Sequence, residues 1–479
     1  MQRKFLSNLS LVLFLNFLVK PFWIFGIDRT VQNTLGSEEY GTYFALLNLT
    51  FLLNIFLDFG ITNYNNRTIA QSNALLRKYF SGIASFRVIL GIVYFFVLGF
   101  IAVTLKYSSE QLLLLSFLGV NQFLLAFILF LRSNISGLHL FKTDSFISVL
   151  DRVIMIVLCG LLLWTQIFSI KFSVFWFAGI QTLAYCITLF VALLLLYSYS
   201  GKFKFHWKPV LYSAIIKKSL PFATLIILMT VNYRTDGVML ERMLSDNGKE
   251  AGIYAQSFRL LDAANIIGYL FAGLLLPMFS KMLKDKQDTT LLTSLSFRLL
   301  FSFAVIVAAI SCLFSENIIQ LLYRENIEQS SAVFSVLMWS FIPVASSYVF
   351  GTLLTANGNL KYLNYTVAFS MVVNIALNAF LIPNYGALGS AFASLMAQFL
   401  ITCMQVYLIK QIIGFGFSRK ELLSIFIFLI ILVFTAITID KTVEFWYIGV
   451  LIFGIIGVLA VFLSRMITVH ETFNAFRKT

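Results

Sequence analysis

Six cations lie inside stretches of this chain that are otherwise apolar: Lys20, Arg87, Arg152, Arg234, Arg259 and Arg298. Four acids share those stretches, Asp58, Asp151, Asp236 and Asp262, leaving the balance positive. A charge held away from water is costly, and it ordinarily faces a helix-bundle interior or a wet cavity. Arg259 and Asp262 are three apart, so they share a helix face and read as a structural pair. Asp151 and Arg152 are adjacent and point in different directions near the inner mouth, where snorkelling is cheap. Asp236 follows Arg234 by two and does not share its face. Arg87 and Arg298 have no acid in their own apolar stretch, and neither has Lys20, which is followed at once by helix-breaking Pro21. Each needs a partner from another helix or an anionic ligand. A guanidinium keeps its charge and presents a fork of donors, which matches phosphate; the alternative is an interhelical bridge, for example from Arg87 to Asp58.

Two of these arginines sit in a repeat. Ser85-Phe86-Arg87 recurs as Ser296-Phe297-Arg298, 211 positions later. The same offset carries Gly41 and Tyr43 onto Gly252 and Tyr254, and Asn54-Ile55 onto Asn265-Ile266. Matches in one ungapped register point to two related halves with an arginine at the same depth in the third helix of each.

The elements that would position these residues are membrane spans. The 479 residues are 59% hydrophobic and only 12% charged, about half the charged fraction of soluble domains. Apolar runs recur at the ~20-residue length that crosses a hydrocarbon core, and they do not alternate as barrel strands do. Fourteen spans are expected, at 5–27, 42–61, 79–105, 112–131, 145–165, 172–197, 220–240, 252–279, 291–314, 332–356, 362–382, 387–409, 422–439 and 445–463. The eighth is long, so a tilt or a break near Pro277 is expected. Lysine and arginine crowd alternate connections, which puts that side and both termini in the cytoplasm. The fold class is therefore all-α and polytopic: an N-terminal lobe at 1–200, a basic connector at 201–219, a second lobe at 220–410, and two further helices with a tail at 411–479.

The same features exclude several functions. The net charge of +14 is mostly a topology signal and not a nucleic-acid surface. Cys159, Cys186, Cys312 and Cys403 lie in apolar helices at no ligand spacing, which argues against a disulfide frame or zinc site. His139, His206 and His470 are scattered in connections. No phosphate-binding loop of the nucleotide-hydrolysing type is present, and no connection is long enough for a soluble domain. The chain is not expected to be an enzyme, and no cofactor or metal is expected.

The stretch 373–391, containing Asn374, Asn378, Pro383, Asn384, Tyr385, Gly386, Gly389, Ser390 and Ala391, resembles the helix–turn–helix signature of bacterial O-antigen and capsule flippases. These belong to the polysaccharide transporter family of the multidrug/oligosaccharidyl-lipid/polysaccharide exporter superfamily. Pro383 and Gly386 suit a tight outer turn, and Gly389, Ser390 and Ala391 suit close helix packing. Tyr40-Gly41-Thr42-Tyr43 with Asp58-Phe59-Gly60-Ile61 resembles the family's second helix; Asp236 to Leu240, Ala251 to Ala255 and Leu276-Pro277 resemble its seventh and eighth. The resemblance implies two six-helix lobes around a cavity. It also implies alternating access of an undecaprenyl-pyrophosphate-linked oligosaccharide, an O-antigen or capsule repeat unit, from the cytoplasmic to the periplasmic leaflet of the inner membrane. On that reading Arg87 and Arg298 hold the head group from opposite lobes, with Lys20 and Arg234 nearer the outer half of the path, and Asp58, Arg152, Arg259 and Asp262 in the cavity or in ion pairs. Expected partners are the lipid-linked oligosaccharide, the bilayer, a polysaccharide polymerase and a chain-length regulator, with no nucleic acid; coupling to protons, sodium or the membrane potential stays open.

Rival readings are a drug/cation antiporter or a peptidoglycan-precursor flippase of the same superfamily, and a membrane glycosyltransferase. The positive balance argues against the antiporter. The glycosyltransferase lacks an outer loop carrying an acidic or basic site, since Glu38-Glu39 suits a solvated turn.

Overall fold

A computed structural model describes residues 18–62, 65, 69, 75–138, 140–165, 172–200, 205, 207 and 209–467. The start of the first expected span, most of the basic connector, the C-terminal tail and all three histidines lie outside the described residues. Every regular element among those described is helical. A π-helical turn, Phe22–Asp28, follows Pro21; a proline removes one backbone donor and crowds the preceding turn, and a wider helical turn relieves both. The α-helices are α1 (Arg29–Leu52), α2 (Ile55–Asp58), α3 (Leu75–Thr104), α4 (Ser109–Gly137), α5 (Phe141–Trp164), α6 (Val174–Ser200) and α7 (Pro209–Met243). They continue as α8 (Lys249–Lys284), α9 (Thr290–Leu313), α10 (Ser315–Leu322), α11 (Ile327–Ala356), α12 (Leu360–Ile413), α13 (Arg419–Thr442) and α14 (Trp446–Leu463).

Ten of these helices are long and apolar enough to cross a membrane. One of them, α12, has 54 residues and doubles back at Gly386 (φ 54°, ψ −134°), so it supplies the eleventh and twelfth expected spans. The turn falls where Pro383 and Gly386 place it, and a Cβ on Gly389 would come within 2.6 Å of the Leu381 carbonyl oxygen. The first two spans meet in the same way. The outer connection expected at 28–41 is helical, and the chain reverses at Gly36 alone (φ 78°, ψ 171°). No break occurs at Pro277. Helix α8 runs through it for 36 residues, about 54 Å at the usual rise and well beyond a ~30 Å hydrocarbon core.

The chain forms two compact units, residues 1–252 and 253–479. In the first, α4 packs on α6, and α1 on α7 and α4. Its core joins Phe80, Phe86 and Leu90 of α3 to Phe130, Leu131 and Ile135 of α4, and to Tyr185 and Tyr212. In the second, α11 packs on α12 and α9, while a separate cluster of Val305, Phe428, Leu432, Phe453 and Ala460 fixes α13 and α14 to α9.

The repeat-matched glycines have a packing reason. A Cβ on Gly41 would lie 1.9 Å from the Gly248 carbonyl oxygen, and one on Gly252 would lie 2.0 Å from that of Ser37. Only hydrogen fits at this crossing. Gly41→Ala should therefore lower thermal stability in detergent by an amount typical of overpacking, about 1–3 kcal/mol. Gly99→Ala, where nothing lies within 4 Å, should leave the melting curve unchanged. Equal melting temperatures for the two variants would refute the close crossing.

Candidate functional site

Helix α1 ends at Leu52, and after a turn at Leu53-Asn54 the short α2 carries Asn54 and Asp58 one helical turn apart. Phe59 (φ 43°) and Gly60 (φ 76°) then stop it in the left-handed region. This broken end forms one wall of a cavity of about 230 Å³ lined by Phe51, Leu52, Asn54, Ile55, Asp58, Thr62, Ala126, Leu129, Ile226, Ile227 and Thr230. All of these residues belong to the first unit.

Arg87 stands behind that wall. Its Nη2 donates to Asp58 Oδ1 and, at 2.6 Å, to Thr62 Oγ1; its Nη1 donates to the Ala126 carbonyl oxygen at 2.9 Å. The Phe130 ring lies 5.0 Å from the guanidinium. Arg87 is 2% exposed and Asp58 is 27% exposed, so the cavity meets the carboxylate and not the arginine. Of the two partners open to Arg87, the structure contains the interhelical bridge to Asp58.

Its repeat counterpart is used differently. Arg298 is buried in the second unit, where Nη1 donates to the Met466 carbonyl oxygen at 2.7 Å and Nε to that of Ser294 at 3.3 Å. Glu421 of α13 is its electrostatic neighbour and also takes the Ser294 hydroxyl. Arg298 thus ties α9 to the end of α14 and the start of α13. The two arginines are consumed separately, each within its own unit.

The remaining expected residues divide into two groups. Arg234 is half-buried on α7, one turn after Thr230, with its guanidinium 4.9 Å from the ring of cavity residue Phe51 and 5.3 Å from Tyr233. Lys20 has Arg152, Arg132 and Asp151 as electrostatic neighbours. Arg152 lies 5.1 Å from the Trp23 ring and 3.8 Å from Asp151, and Arg132 holds Asp144 at 2.8 Å. Arg132 sits close to the end of α4 that the charge pattern reads as cytoplasmic. Lys20 is therefore grouped toward that end and not with Arg234. Arg259 and Asp262 are both half-buried on α8 in the second unit, where Tyr348 neighbours Asp262.

Sequence reasoning missed Arg132, which it counted as a loop charge, and also Asn54, Thr62 and Thr230. The four-residue spacing of Asn54 and Asp58 was a usable signal for the cavity face. Outside the spans, burial pushes the Tyr107 hydroxyl up to about 12, and Arg242 caps its ring at 3.7 Å. Among the described residues no group of three or more histidine, cysteine or acidic side chains could hold a metal.

A family profile described as "Polysaccharide biosynthesis protein" matches residues 9–283, more than half of the chain. The chain belongs to that family. A second profile, MatE, matches residues 283–380. An uncharacterized membrane protein of Methanocaldococcus jannaschii is 23% identical over 400 residues, covering 79% of this chain and 91% of the relative. Among solved structures, the lipid II flippase MurJ in an inward closed conformation superposes with a TM-score of 0.71 at 15% identity, covering 95% of this chain and 98% of MurJ. An inward-facing multidrug resistance MATE family transporter of the MOP superfamily gives 0.61 at 13% identity, covering 85% and 98%. At these identities the structures establish the fold.

The buried bridge allows a direct test. Arg87→Ala leaves Asp58 without its counter-charge and should cost about 3–5 kcal/mol of stability. Combining Arg87→Met with Asp58→Asn should recover most of that loss, because no charge is then stranded. Additive losses in a detergent melting experiment would refute the pairing.

Proposed function

We propose that this protein flips an undecaprenyl-pyrophosphate-linked oligosaccharide from the cytoplasmic to the periplasmic leaflet of the inner membrane by alternating access. The observation that carries the proposal is the cation group Lys20, Arg132 and Arg152 in the first unit. It has three positive charges against Asp144 and Asp151, and the side chains of Arg132 and Arg152 keep 25% and 30% of their surface exposed. A partly exposed guanidinium can keep its carboxylate and still accept a second anion. The group lies toward the end from which a lipid-linked donor would enter. Arg234 offers a further cation beside the cavity. Arg87 and Arg298 serve the proposal indirectly, by holding the helices that shape each unit. The family's description, polysaccharide biosynthesis, supports a glycan cargo.

The second reading is a flippase for the peptidoglycan precursor, favoured by the fold likeness to the lipid II flippase MurJ. Both cargoes carry a diphosphate, so the cation group fits either.

Deletion of the gene should make a lipid-linked oligosaccharide accumulate on the inner leaflet. Lys20→Glu and Arg152→Glu should each fail to restore surface polysaccharide, with a loss of about tenfold or more at unchanged membrane abundance, as expected when a charge-assisted contact becomes repulsive. Normal surface polysaccharide in both variants would overturn the head-group assignment. Rescue of cells depleted of their peptidoglycan-precursor flippase would favour the second reading.

A further inference from the structure

Three arginines of the first unit lie over aromatic rings: Arg87 over Phe130 at 5.0 Å, Arg234 over Phe51 at 4.9 Å and Arg152 over Trp23 at 5.1 Å. Arg87 and Arg152 differ in how their donors are used. Arg87 spends Nη1 and Nη2 on Ala126, Asp58 and Thr62. The contacts of Arg152 are longer or softer: Nε is 3.8 Å from Asp151 Oδ2, Nη1 is 3.8 Å from the Met155 sulfur, and the Tyr185 hydroxyl is a neighbour. Its side chain keeps 30% of its surface exposed. Lys20 and Trp23, three residues apart across Pro21, both come to Arg152. Lys20 brings a like charge, which pushes the guanidinium away. The indole draws it back, because a ring offers its negative face to a cation. The indole is itself fixed: it stacks on Phe177 at 6.0 Å and 10°, and Phe177 is fully buried against Tyr43. The π-helical turn that holds Trp23 packs on α5, which carries Arg152.

We infer that Trp23 is a positioning residue for the diphosphate head group, acting through Arg152. A guanidinium stacked on a ring keeps its N–H groups at the edge, in its own plane. The indole face therefore offsets part of the repulsion between Lys20 and Arg152 without covering the donor fork. A short carboxylate bridge would offset the same charge by engaging that fork, as Asp144 engages Arg132 Nε at 2.8 Å. A fork held in this way can meet two oxygens of a diphosphate side by side. The role belongs to Trp23 among the aromatics of the π-helical turn, since Phe22 and Phe25 are exposed and Phe22 meets Trp164 edge-on. Leucine at position 23 would fill part of the space but offers no π face, whereas phenylalanine keeps a weaker one. The inference rests on the head-group reading, which it deepens by naming the residue that presents the cation.

The test uses the purified full chain in detergent and native mass spectrometry with two probes: undecaprenyl pyrophosphate, and undecaprenol, which lacks the phosphates. Trp23→Leu should weaken binding of undecaprenyl pyrophosphate by about tenfold, the scale of a partly desolvated cation–π contact, with binding of undecaprenol unchanged. Trp23→Phe should recover most of that loss. In an Arg152→Met background, which itself binds undecaprenyl pyrophosphate more weakly, Trp23→Leu should add little, because the indole acts through the guanidinium. Unchanged binding by Trp23→Leu overturns the positioning role. So does an equal loss in Trp23→Phe and Trp23→Leu, an equal loss toward both lipids, or a full further loss in the Arg152→Met background. Each of these leaves the head-group reading intact as long as Arg152→Met alone weakens binding of undecaprenyl pyrophosphate. An Arg152→Met variant that binds this lipid as well as wild type overturns the head-group reading and the role of Trp23 together.

Discussion

A guanidinium cannot shed its proton, so an arginine in a membrane helix must find acceptors or water. Arg87 meets this requirement by drawing on several elements at once: Asp58 of α2, the Thr62 hydroxyl and the Ala126 carbonyl oxygen of α4. These bonds fix the broken end of α1 against α3 and α4. The break in turn gives the cavity its shape, because an unbroken helix would carry Asn54 and Asp58 on past Leu52 in a different direction. One buried charge thus holds the end of a helix in place and leaves its carboxylate partner, not itself, bordering the cavity.

The repeat preserves this requirement but not its solution. Arg298 occupies the matching position on α9, and its acceptors are carbonyl oxygens at Ser294 and Met466, with Glu421 nearby. The difference follows from the two C-terminal helices, which have no counterpart in the first half. Their ends supply acceptors to α9, and their apolar faces cover it through Phe428, Leu432 and Phe453. An arginine in a repeat is therefore a sign that acceptors must be present, and it does not specify a ligand. The glycines of the repeat behave otherwise: Gly41 and Gly252 share one crossing where backbone meets backbone, and steric exclusion leaves no alternative residue.

The residues facing the cavity and those grouped around Lys20 separate two kinds of chemistry within one unit. Near Lys20 the partners are cations with partly exposed donors, suited to an anion. Beside Asp58 the buried cation is instead matched by the carboxylate, which is the partly exposed member of the pair.

Hydropathy and the Pro383–Gly386 turn are local properties, and they were enough to establish an all-helical polytopic chain and the family resemblance. They also singled out Arg87, Arg298 and Lys20 as charges needing partners, and offered Asp58 as one. The choice of partner was beyond their reach. Asp58 lies 29 positions from Arg87 and Met466 lies 168 from Arg298, and acceptors at such separations are selected by packing through space. Arg132 was hidden for a related reason: its distance from the helix end suited a loop, whereas its neighbours Asp144 and Lys20 bring it into the bundle. Spacing along a chain reports the face of one helix, while an ion pair or a cavity wall belongs to several, so only the tertiary structure could decide which charges were consumed and which remained to act.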